Sequence, residues 1–383
     1  MDGSTKPSES DWGPFGRPLF DEASSRRLSR VGVIDIGSNS VRMVVFDGAA
    51  RSPAYFFNEK VMCELGAGLA TTGRLNPEGR VRALAALKRF HRLGVGMNTG
   101  PLTAVATAAV RDAEDGAEFC ADVLRETGLR ILVLKGEQEA AFSAQGVLLG
   151  WPGSYGLVCD MGGSSMELAE VNGGRVGRRM TSPLGPLKLR DLKGGKKGRK
   201  AQIKDYVARM REHLGEQRNR LFLVGGSFRA IGKIDMERRQ YPLKVPHEYR
   251  MSARPLRETA HYIAAEDPEA LRIRASVSAS RMALVPYCCD VLREVVSTFK
   301  PHDIAVSNYG IREGLLYQQM PQRLRDRDPL IEACSFVESR DARMPGSGKA
   351  VYKFVETLFK SVPDDRKRII KAACLLHDVS WRA

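Results

Sequence analysis

Hydrophobic and polar positions alternate most clearly around a short polar turn near the start of the chain. In residues 31–48, VGVIDIGSNSVRMVVFDG, two apolar, β-branched runs flank this turn, and the pattern predicts a tight β-hairpin. Residues 156–171, GLVCDMGGSSMELAEV, repeat the plan of an apolar run, an aspartate, a glycine-serine turn and a second alternating run. A repeated unit of this kind predicts two related domains that face each other across a cleft.

The segment between the hairpins predicts an α/β domain. Apolar spacing indicates strands and helices in alternation, over 55–64 (strand), 77 onward (helix), 102–107 (strand), 117–127 (helix), 130–134 (strand) and 137–149 (helix). Asn76 and Pro77 are suited to the cap and first turn of the first helix. Three initial strands followed by alternating helix and strand is the order of a ribonuclease-H-like domain.

The second half of the chain predicts a similar domain with insertions. Strands are expected at 221–224 and 303–307, and residues 269–299 predict one kinked helix or two, interrupted at Pro286. The basic segment 188–204 favours a solvated loop, with a guide for polyanions beside the cleft as the alternative. A charged linker over 321–329 precedes two further helical patterns, at 351–358 and 368–376.

Both glycine-serine turns carry candidate chemistry. Asp35 ends the first strand, Gly37 lets the backbone approach a ligand closely, and Ser38 and Asn39 add polar donors around free N–H groups. Such a turn suits a phosphate, and a carboxylate beside it makes sense when a divalent cation bridges the two. An ordinary hairpin turn explains the first stretch alone equally well.

Charge and composition narrow the range of partners. The 383 residues carry a formal net charge of +15, which attracts polyanions of either kind, polyphosphate or nucleic acid. No helix-turn-helix or zinc-finger spacing is present, so nucleic acid is not the favoured partner, and the six histidines show no metal-ligand spacing. No apolar run reaches the length of a membrane span, and residues 1–29 predict a disordered leader on a cytoplasmic protein with no membrane association.

An ordered set of motifs extends over residues 30–320. They are DIGSNS (35–40), ATAAVRDAEDG (106–116), GEQEA (136–140), DMGGSSMEL (160–168), SPLGPLKL (182–189), GGSFRAI (225–231) and SNYGIREGLL (307–316). With these motifs the chain resembles the exopolyphosphatase / guanosine-pentaphosphate phosphohydrolase family, within the larger actin, hexokinase and heat-shock ATPase fold group. One motif alone is weak, but the ordered set is specific.

The resemblance implies an α/β fold of two ribonuclease-H-like, or actin-like, domains around a central cleft. We expect the first domain over 30–141, the second over 142–320, and a partial helical third domain over 321–383. Long members of the family continue with a helical domain, and LLHDVSW near the end of this sequence looks like its central helix, so the third domain is expected to be truncated.

The implied activity is release of orthophosphate from the end of inorganic polyphosphate, dependent on Mg²⁺ or Mn²⁺. A second implied activity converts guanosine pentaphosphate to tetraphosphate, and a homodimer is the expected assembly. The carboxylates expected to bind the metal are Asp160 and Glu167, with Asp35 as an outer ligand. The groups expected to bind phosphate are Gly37, Ser38, Asn39, Arg111, Gly162, Gly163, Ser164 and Ser165.

Glu139 is the candidate general base, because the resemblance makes the carboxylate just before Ala140 the water-activating residue. Helical spacing alone does not choose between Glu137 and Glu139. Lys135 and Gln138 depart from the usual family pattern, in which a small hydroxyl residue and a glutamate are common.

Other side chains and other functions stay open on the sequence. Arg229 and Arg312 follow glycine turns and either bind further phosphates or brace the domains. The alternatives to a hydrolase are a catalytically weak regulator that binds alarmones or polyphosphate, and a small-molecule kinase of the same fold group.

Overall fold

The computed structural model describes residues 27–100 and 102–381. This part of the chain forms two β-sheets, with helices between them and on their outer faces. Of the predicted leader, residues 1–26 lie outside the described residues, and residues 27–29 belong to the first strand. Among the described residues, none of the helices combines the length and the apolar character that crossing a bilayer requires.

The first sheet contains five strands in the order β3-β2-β1-β4-β5, with the bounds β1 (Arg27–Ile36), β2 (Ser40–Ala49), β3 (Ser52–Met62), β4 (Thr103–Ala106) and β5 (Ile131–Val133). The first three strands are antiparallel, and β4 and β5 run parallel to β1. The helices of this half are α1 (Leu69–Thr72), α2 (Pro77–Gly96), α3 (Ala108–Asp112) and α4 (Gly116–Thr127). Asn76 caps α2 as predicted, because its side chain accepts a hydrogen bond from the Glu78 N–H at 3.1 Å. The predicted hairpin and the ribonuclease-H-like order are confirmed.

A long helix, α5 (Gly136–Gly150), leads from this sheet to a second sheet of six strands in the order β10-β11-β9-β6-β7-β8. Its strands are β6 (Gly156–Met161), β7 (Met166–Asn172), β8 (Arg175–Ser182), β9 (Arg220–Val224), β10 (Arg250–Met251) and β11 (Asp303–Val306). The hairpin of β6 and β7 confirms the second predicted hairpin, and β9 and β11 extend the sheet in parallel. The repeated unit therefore gives the two sheets the same core order.

The helices that accompany the second sheet correct two expectations. They are α6 (Pro186–Arg190), α7 (Gly195–Leu214), α8 (Gly226–Arg238), α9 (Ala253–Ala265), α10 (Pro268–Arg274), α11 (Ala279–Met282) and α12 (Val285–Phe299). The basic segment 188–204 was expected to be a loop and is mostly helical, because its second half begins α7. The segment 269–299 forms three helices rather than one or two, and Pro286 lies in the first turn of α12 instead of kinking a longer helix.

One pair of helices lies between the two sheets. Helix α13 (Ile311–Gln319) packs against α5, and both contribute to a single apolar core with the facing sides of the sheets. The other faces of the sheets are also buried: in β2, Val44 and Phe46 belong to this inner core, whereas Met43 and Val45 belong to the core under α2 and α4. Burial on both faces explains why central strands such as β2 and β6 are nearly continuously apolar, whereas the outer strands β3 and β8 are more exposed and more polar.

The remaining residues form a helical segment after α13. It comprises α14 (Gln322–Arg325), α15 (Pro329–Asp341), α16 (Ser347–Val355) and α17 (Asp364–Leu376), with a 3₁₀ turn over 356–359. The predicted linker 321–329 thus contains one short helix, α14. Helix α15 packs on β2 and β3, so the helical segment returns to the first sheet. The expected two-sheet α/β architecture with a helical C-terminal segment is confirmed.

Candidate active site

The two glycine-serine turns line one cavity of about 210 Å³ between the sheets, which we call the cleft. Gly37, Ser38 and Asn39 line it from the first turn, and Gly162 and Gly163 from the second. The turns have matching backbone geometry, since Gly37 N–H donates to the Ser40 carbonyl and Gly162 N–H to the Ser165 carbonyl, each at 3.0 Å. The repeated sequence unit therefore places two equivalent turns on opposite sides of one cavity.

The tips of the two turns touch. The Ser164 hydroxyl donates a hydrogen bond to the Ser38 hydroxyl at 2.9 Å, and both side chains are buried. Within the described residues, the backbone N–H groups of Ser38, Asn39, Gly163 and Ser164 have no hydrogen-bond acceptor. Ser38, Asn39 and Gly163 line the cleft, and free backbone N–H groups along the wall of a cavity are suited to bind an anion.

Four carboxylates line the same cleft. They are Asp35 at the end of β1, Glu139 in the first turn of α5, Asp160 on β6 and Glu167 on β7. Asp160 and Glu167 lie directly opposite each other in the antiparallel register, which is why the hairpin presents both to the cleft. Asp160 accepts a hydrogen bond from the Ser143 hydroxyl, and Glu167 accepts one from the Thr181 hydroxyl at 2.9 Å.

These carboxylates share an electrostatic environment that favours their neutral forms. Burial raises the pKa of Glu139, Asp160 and Glu167. Mutual repulsion adds to burial, since Asp160 raises the pKa of Glu139, and Glu139 raises that of Glu167. The pKa of Asp35 is also raised by burial, although the nearby Arg312 and Arg42 guanidinium groups oppose the shift. A bound cation would lower the pKa of all four groups.

Glu139 is held in place by an arginine. The Arg111 guanidinium forms an ion pair with its carboxylate, and the same Nη1 atom donates to the Leu134 carbonyl at 3.0 Å. The Nε atom of Arg111 donates to Asp112 at 3.0 Å, and Arg111 is not among the residues that line the cleft. The expected contact of Arg111 with phosphate stays a prediction. The ion pair shows in addition that this side chain orients Glu139.

The predicted site residues fall into two groups. Those that line the cleft are Asp35, Gly37, Ser38, Asn39, Glu139, Asp160, Gly162, Gly163 and Glu167. Ser164, Ser165 and Arg111 lie behind its wall, Ser164 against Ser38 and Ser165 against Glu167. Arg229 and Arg312 also line the cleft, where the Arg312 Nε atom lies 4.0 Å from the Asp35 carboxylate.

The possible metal ligands around the cleft are carboxylate oxygen atoms, which are the kind of ligand that Mg²⁺ and Mn²⁺ prefer. Within residues 27–100 and 102–381, no three His, Cys, Asp or Glu side chains are grouped closely enough to hold an ion by themselves. A small number of carboxylates completed by water and phosphate oxygens is the usual environment of Mg²⁺ in phosphoryl-transfer sites. The oxygen ligands of the cleft and the repulsion among its carboxylates therefore fit a divalent cation whose remaining ligands are oxygen atoms of a substrate.

Sequence reasoning missed several residues of this site. Ser143 lies four positions after Glu139 and thus on the same face of α5. Thr181 lies opposite Glu167 in the register of β7 and β8. Helical and strand periodicity could therefore have identified both residues. Arg42, Lys60 and Arg281 also line the cleft. Lys60 and Arg281 lie on β3 and α11, outside every recognised motif, and only the tertiary fold brings them to the cleft.

Comparison with known proteins adds sequence and fold relationships. The model of the Ppx/GppA phosphatase family matches residues 44–323. Exopolyphosphatase 1 of Mycobacterium tuberculosis is 31% identical over 143 residues, which cover 37% of this chain and 42% of that protein. Exopolyphosphatase 2 of the same species is 35% identical over 152 residues, covering 37% of this chain and 48% of that protein. The chain thus matches less than half the length of these curated relatives.

Solved structures show the same fold at low sequence identity. An exopolyphosphatase from Cytophaga hutchinsonii superposes with a TM-score of 0.69 at 22% identity, covering 76% of this chain and 98% of that one. A Ppx/GppA family member from Aquifex aeolicus superposes with a TM-score of 0.65 at 22% identity, covering 78% and 99%. The expected actin-like arrangement of two domains is confirmed by these superpositions. Because the family model matches most of the chain, the protein belongs to the Ppx/GppA phosphatase family.

Proposed function

We propose that this chain is a phosphoanhydride hydrolase that releases orthophosphate from the end of inorganic polyphosphate. The observation that carries the proposal is the position of Glu139, a carboxylate 4% exposed that faces the cavity between two anion-binding turns. Hydrolysis of a phosphoanhydride needs donors for the phosphoryl oxygens and a group that orients water and accepts its proton. The turns and Glu139 supply these two functions from different elements around one cavity.

The proposed roles follow from the contacts. The free N–H groups of the two turns bind oxygens of the terminal phosphate. Glu139 orients the attacking water and takes its proton. Burial raises the pKa of this carboxyl, and Arg111 and a bound cation would oppose that shift and keep the carboxylate ionised for this role. Arg111 is a positioning residue, since it pairs with Glu139 from behind the wall of the cleft.

We propose Mg²⁺ or Mn²⁺ as the cofactor, held by Asp160 and Glu167, with Asp35 as an outer ligand. The fit rests on the oxygen donors and on the mutual repulsion of these carboxylates in a buried place. When bound, such an ion neutralises charge on the phosphoryl oxygens. Ser143 and Thr181 hold the ligating carboxylates through their hydroxyl groups.

A second substrate of the same cleft is guanosine pentaphosphate, because its conversion to tetraphosphate also removes a terminal phosphate by attack of water. The names of the Mycobacterium tuberculosis relatives support the polyphosphate activity first.

Three further expectations stay predictions: the homodimer, the cytoplasmic location and the domain limits 30–141, 142–320 and 321–383. The limit after residue 141 falls inside α5.

The test is release of orthophosphate from long-chain polyphosphate with and without Mg²⁺. Glu139→Gln is expected to lower kcat about 10²- to 10⁴-fold with little change in KM, since it removes the proton acceptor and keeps the shape of the side chain. Glu137→Gln is the matched control, because Glu137 is exposed two positions away in the same helical turn. We expect this control to keep the activity of the unmodified chain.

Each contrary result points to one alternative. Equal loss of kcat in both variants would mean that Glu139 is not the base. Binding of polyphosphate without release of orthophosphate would indicate the regulator, and formation of ADP that depends on an added acceptor would indicate the kinase.

A further inference from the structure

A largely apolar groove of about 680 Å³ lies between the first sheet and the helical C-terminal segment, and we call it the α15 groove. One wall is formed by the turn between β2 and β3 with the first half of β3, and the other wall is one face of α15. Its apolar lining includes Ala49, Tyr55 and Phe56 from the sheet, and Ala333, Phe336 and Val337 from α15. The groove shares no lining residue with the cleft, so it is a separate surface.

Two aromatic side chains of this groove are open to solvent. Tyr55 is 41% exposed and Phe56 is 47% exposed. The register of β2 and β3 shifts at this point and leaves Phe56 without a partner in β2, which is a β-bulge. The bulge lets these adjacent residues both reach the groove instead of pointing to opposite faces of the sheet. Bulky apolar side chains grouped in an open concave surface mark a place where a further segment or molecule packs.

The start of β1 brings the preceding part of the chain to the edge of the same groove. In the antiparallel register of β1 and β2, Arg27 pairs with Ala49 and Leu28 pairs with Gly48. Ala49 and Gly48 both line the α15 groove. The segment that precedes Arg27 is therefore tethered beside this groove by the covalent chain.

The sequence of that segment has one cluster of bulky apolar residues. Residues 1–26 lie outside the described part of the chain, and within them Trp12, Phe15, Leu19 and Phe20 are grouped in WGPFGRPLF (12–20). Apart from Met1, the other residues of 1–26 are charged, polar, small or proline. Disordered segments are typically poor in aromatic residues, so this cluster is suited to packing against an apolar surface.

The spacing along the chain allows the cluster to reach the groove. The seven residues from Phe20 to Arg27 span at most about 25 Å when extended. The wall of the groove from Ser52 to Phe56 extends about 13 Å along β3. A segment joined to its site by so short a linker has an effective concentration in the millimolar range. A contact that is weak between separate molecules is therefore well populated within one chain.

We propose that residues 12–20 of this chain dock in the α15 groove and place their aromatic side chains among Tyr55, Phe56 and Phe336. The docked segment contacts both walls, so it joins the helical C-terminal segment to the first sheet. This inference does not rest on the proposed function, because no residue of the groove lines the cleft.

Trp12 makes this docking measurable in the full chain. The sequence contains three tryptophans, of which Trp151 is 7% exposed and Trp381 is 46% exposed. In a full chain that carries Trp381→Phe, quenching of tryptophan fluorescence by acrylamide therefore reports mainly on Trp12. A docked indole is shielded from acrylamide, whereas an indole in solvent is quenched as it is in the chain unfolded by urea.

Variants on both walls test where Trp12 is shielded. Phe56→Gln removes an aromatic ring from the sheet wall, and Ala333→Arg puts a long charged side chain into the groove from α15. Phe354→Gln is the matched control, because Phe354 is 76% exposed on α16 and does not line the groove. We expect the quenching constant to rise several-fold in both groove variants, towards the value in urea, and to stay unchanged in the control. Thermal unfolding of each variant verifies that it is folded.

Three results would overturn the proposal. In the first, Trp12 of the starting chain is quenched as strongly as in urea. In the second, the two groove variants leave the quenching constant unchanged, or Phe354→Gln raises it equally, so that Trp12 is shielded elsewhere. In the third, the shielding disappears when the protein is diluted, which would assign the segment to the groove of a second copy instead of its own.

Discussion

Two hydroxyl groups control the carboxylates proposed to bind metal. Ser143 donates to Asp160 and Thr181 donates to Glu167, and both contacts stabilise the ionised form of a group whose burial favours the neutral form. Groups that hydrogen-bond a metal ligand orient it and tune its basicity. Metal affinity is therefore expected to depend on side chains that do not touch the ion.

Thr181 allows a sharp test of this dependence. Thr181→Val keeps the size and branching of the side chain and removes the donor to Glu167, so the concentration of Mg²⁺ for half-maximal activity is expected to rise about 10- to 100-fold. Thr181→Ser retains the hydroxyl group and is expected to stay close to the unmodified chain. Titration of activity with Mg²⁺ measures both variants, and an equal shift in the two would assign Thr181 a packing role only.

At the scale of elements, close backbone contact fixes α5 against α13. A Cβ atom at Gly314 of α13 would overlap the Phe142 carbonyl of α5, and one at Gly146 would overlap the Gly310 backbone. Glycine at these positions lets the two helices approach more closely than side chains allow. Because these helices lie between the sheets, their close contact is part of the core that joins the two sheets.

Gly314→Ala tests the role of this spacing. The added methyl group meets backbone, which cannot move aside as a side chain does, so we expect the free energy of unfolding to fall by about 1–3 kcal/mol, as for other overpacked sites. Gly96→Ala is the control, because Gly96 ends α2 with open space around its Cβ position. That variant is expected to be neutral or up to about 1 kcal/mol more stable. Urea denaturation compares the two, and equal stability of both variants would contradict the close contact.

The accuracy of the sequence predictions depended on how local their physical cause was. The hairpins and the cap at Asn76 follow from neighbouring residues, and the structure confirms them. The basic segment 188–204 was wrongly expected to be a loop, because the apolar stripe of α7 extends mainly beyond it, at Ile203, Val207, Met210 and Leu214. A helix whose buried face begins at its middle shows little periodicity in its first half.

A second cavity of about 500 Å³ adjoins the cleft, and the sequence identified only part of its cationic lining. Its cations come from β2, α8, α11 and α13. Arg229 and Arg312 follow glycine turns and were candidates, whereas no pattern within one element marks Arg42, Lys233 or Arg281 as facing them. The motif residues Asp35, Asp160 and Glu139 could be found because family motifs mark them. Arg281 could not, since it lies on the four-residue helix α11 and reaches the site only in the folded chain.

At the scale of the whole molecule, the net charge acts together with the cationic side chains of the cleft. The formal net charge of +15 attracts a phosphate polymer, and Arg42, Arg229 and Arg281 in the wall of the cleft add to this attraction. Added salt screens such attraction over about 8–10 Å at physiological ionic strength. Capture of the substrate is therefore expected to be more sensitive to salt than the chemical step.

This expectation is measurable as a separation of kinetic constants. Raising KCl from about 50 to about 200 mM is expected to increase KM for polyphosphate several-fold and to change kcat by less than about twofold, because screening weakens long-range attraction more than contacts in the buried cleft. Thermal unfolding in the same buffers controls for changes in stability. A constant KM would show that net charge contributes nothing to capture.

The hydrogen bond between Ser38 and Ser164 has a consequence for how a phosphate chain would lie in the cleft. While it holds, the tips of the two turns are joined, and a phosphate chain in the cleft does not pass between them. A terminal phosphate fits this arrangement better than the middle of a chain, because the joined turns close one side of the cleft. If the chain is the proposed hydrolase, we therefore expect a cyclic phosphate oligomer, which has no terminus, to be a poor substrate.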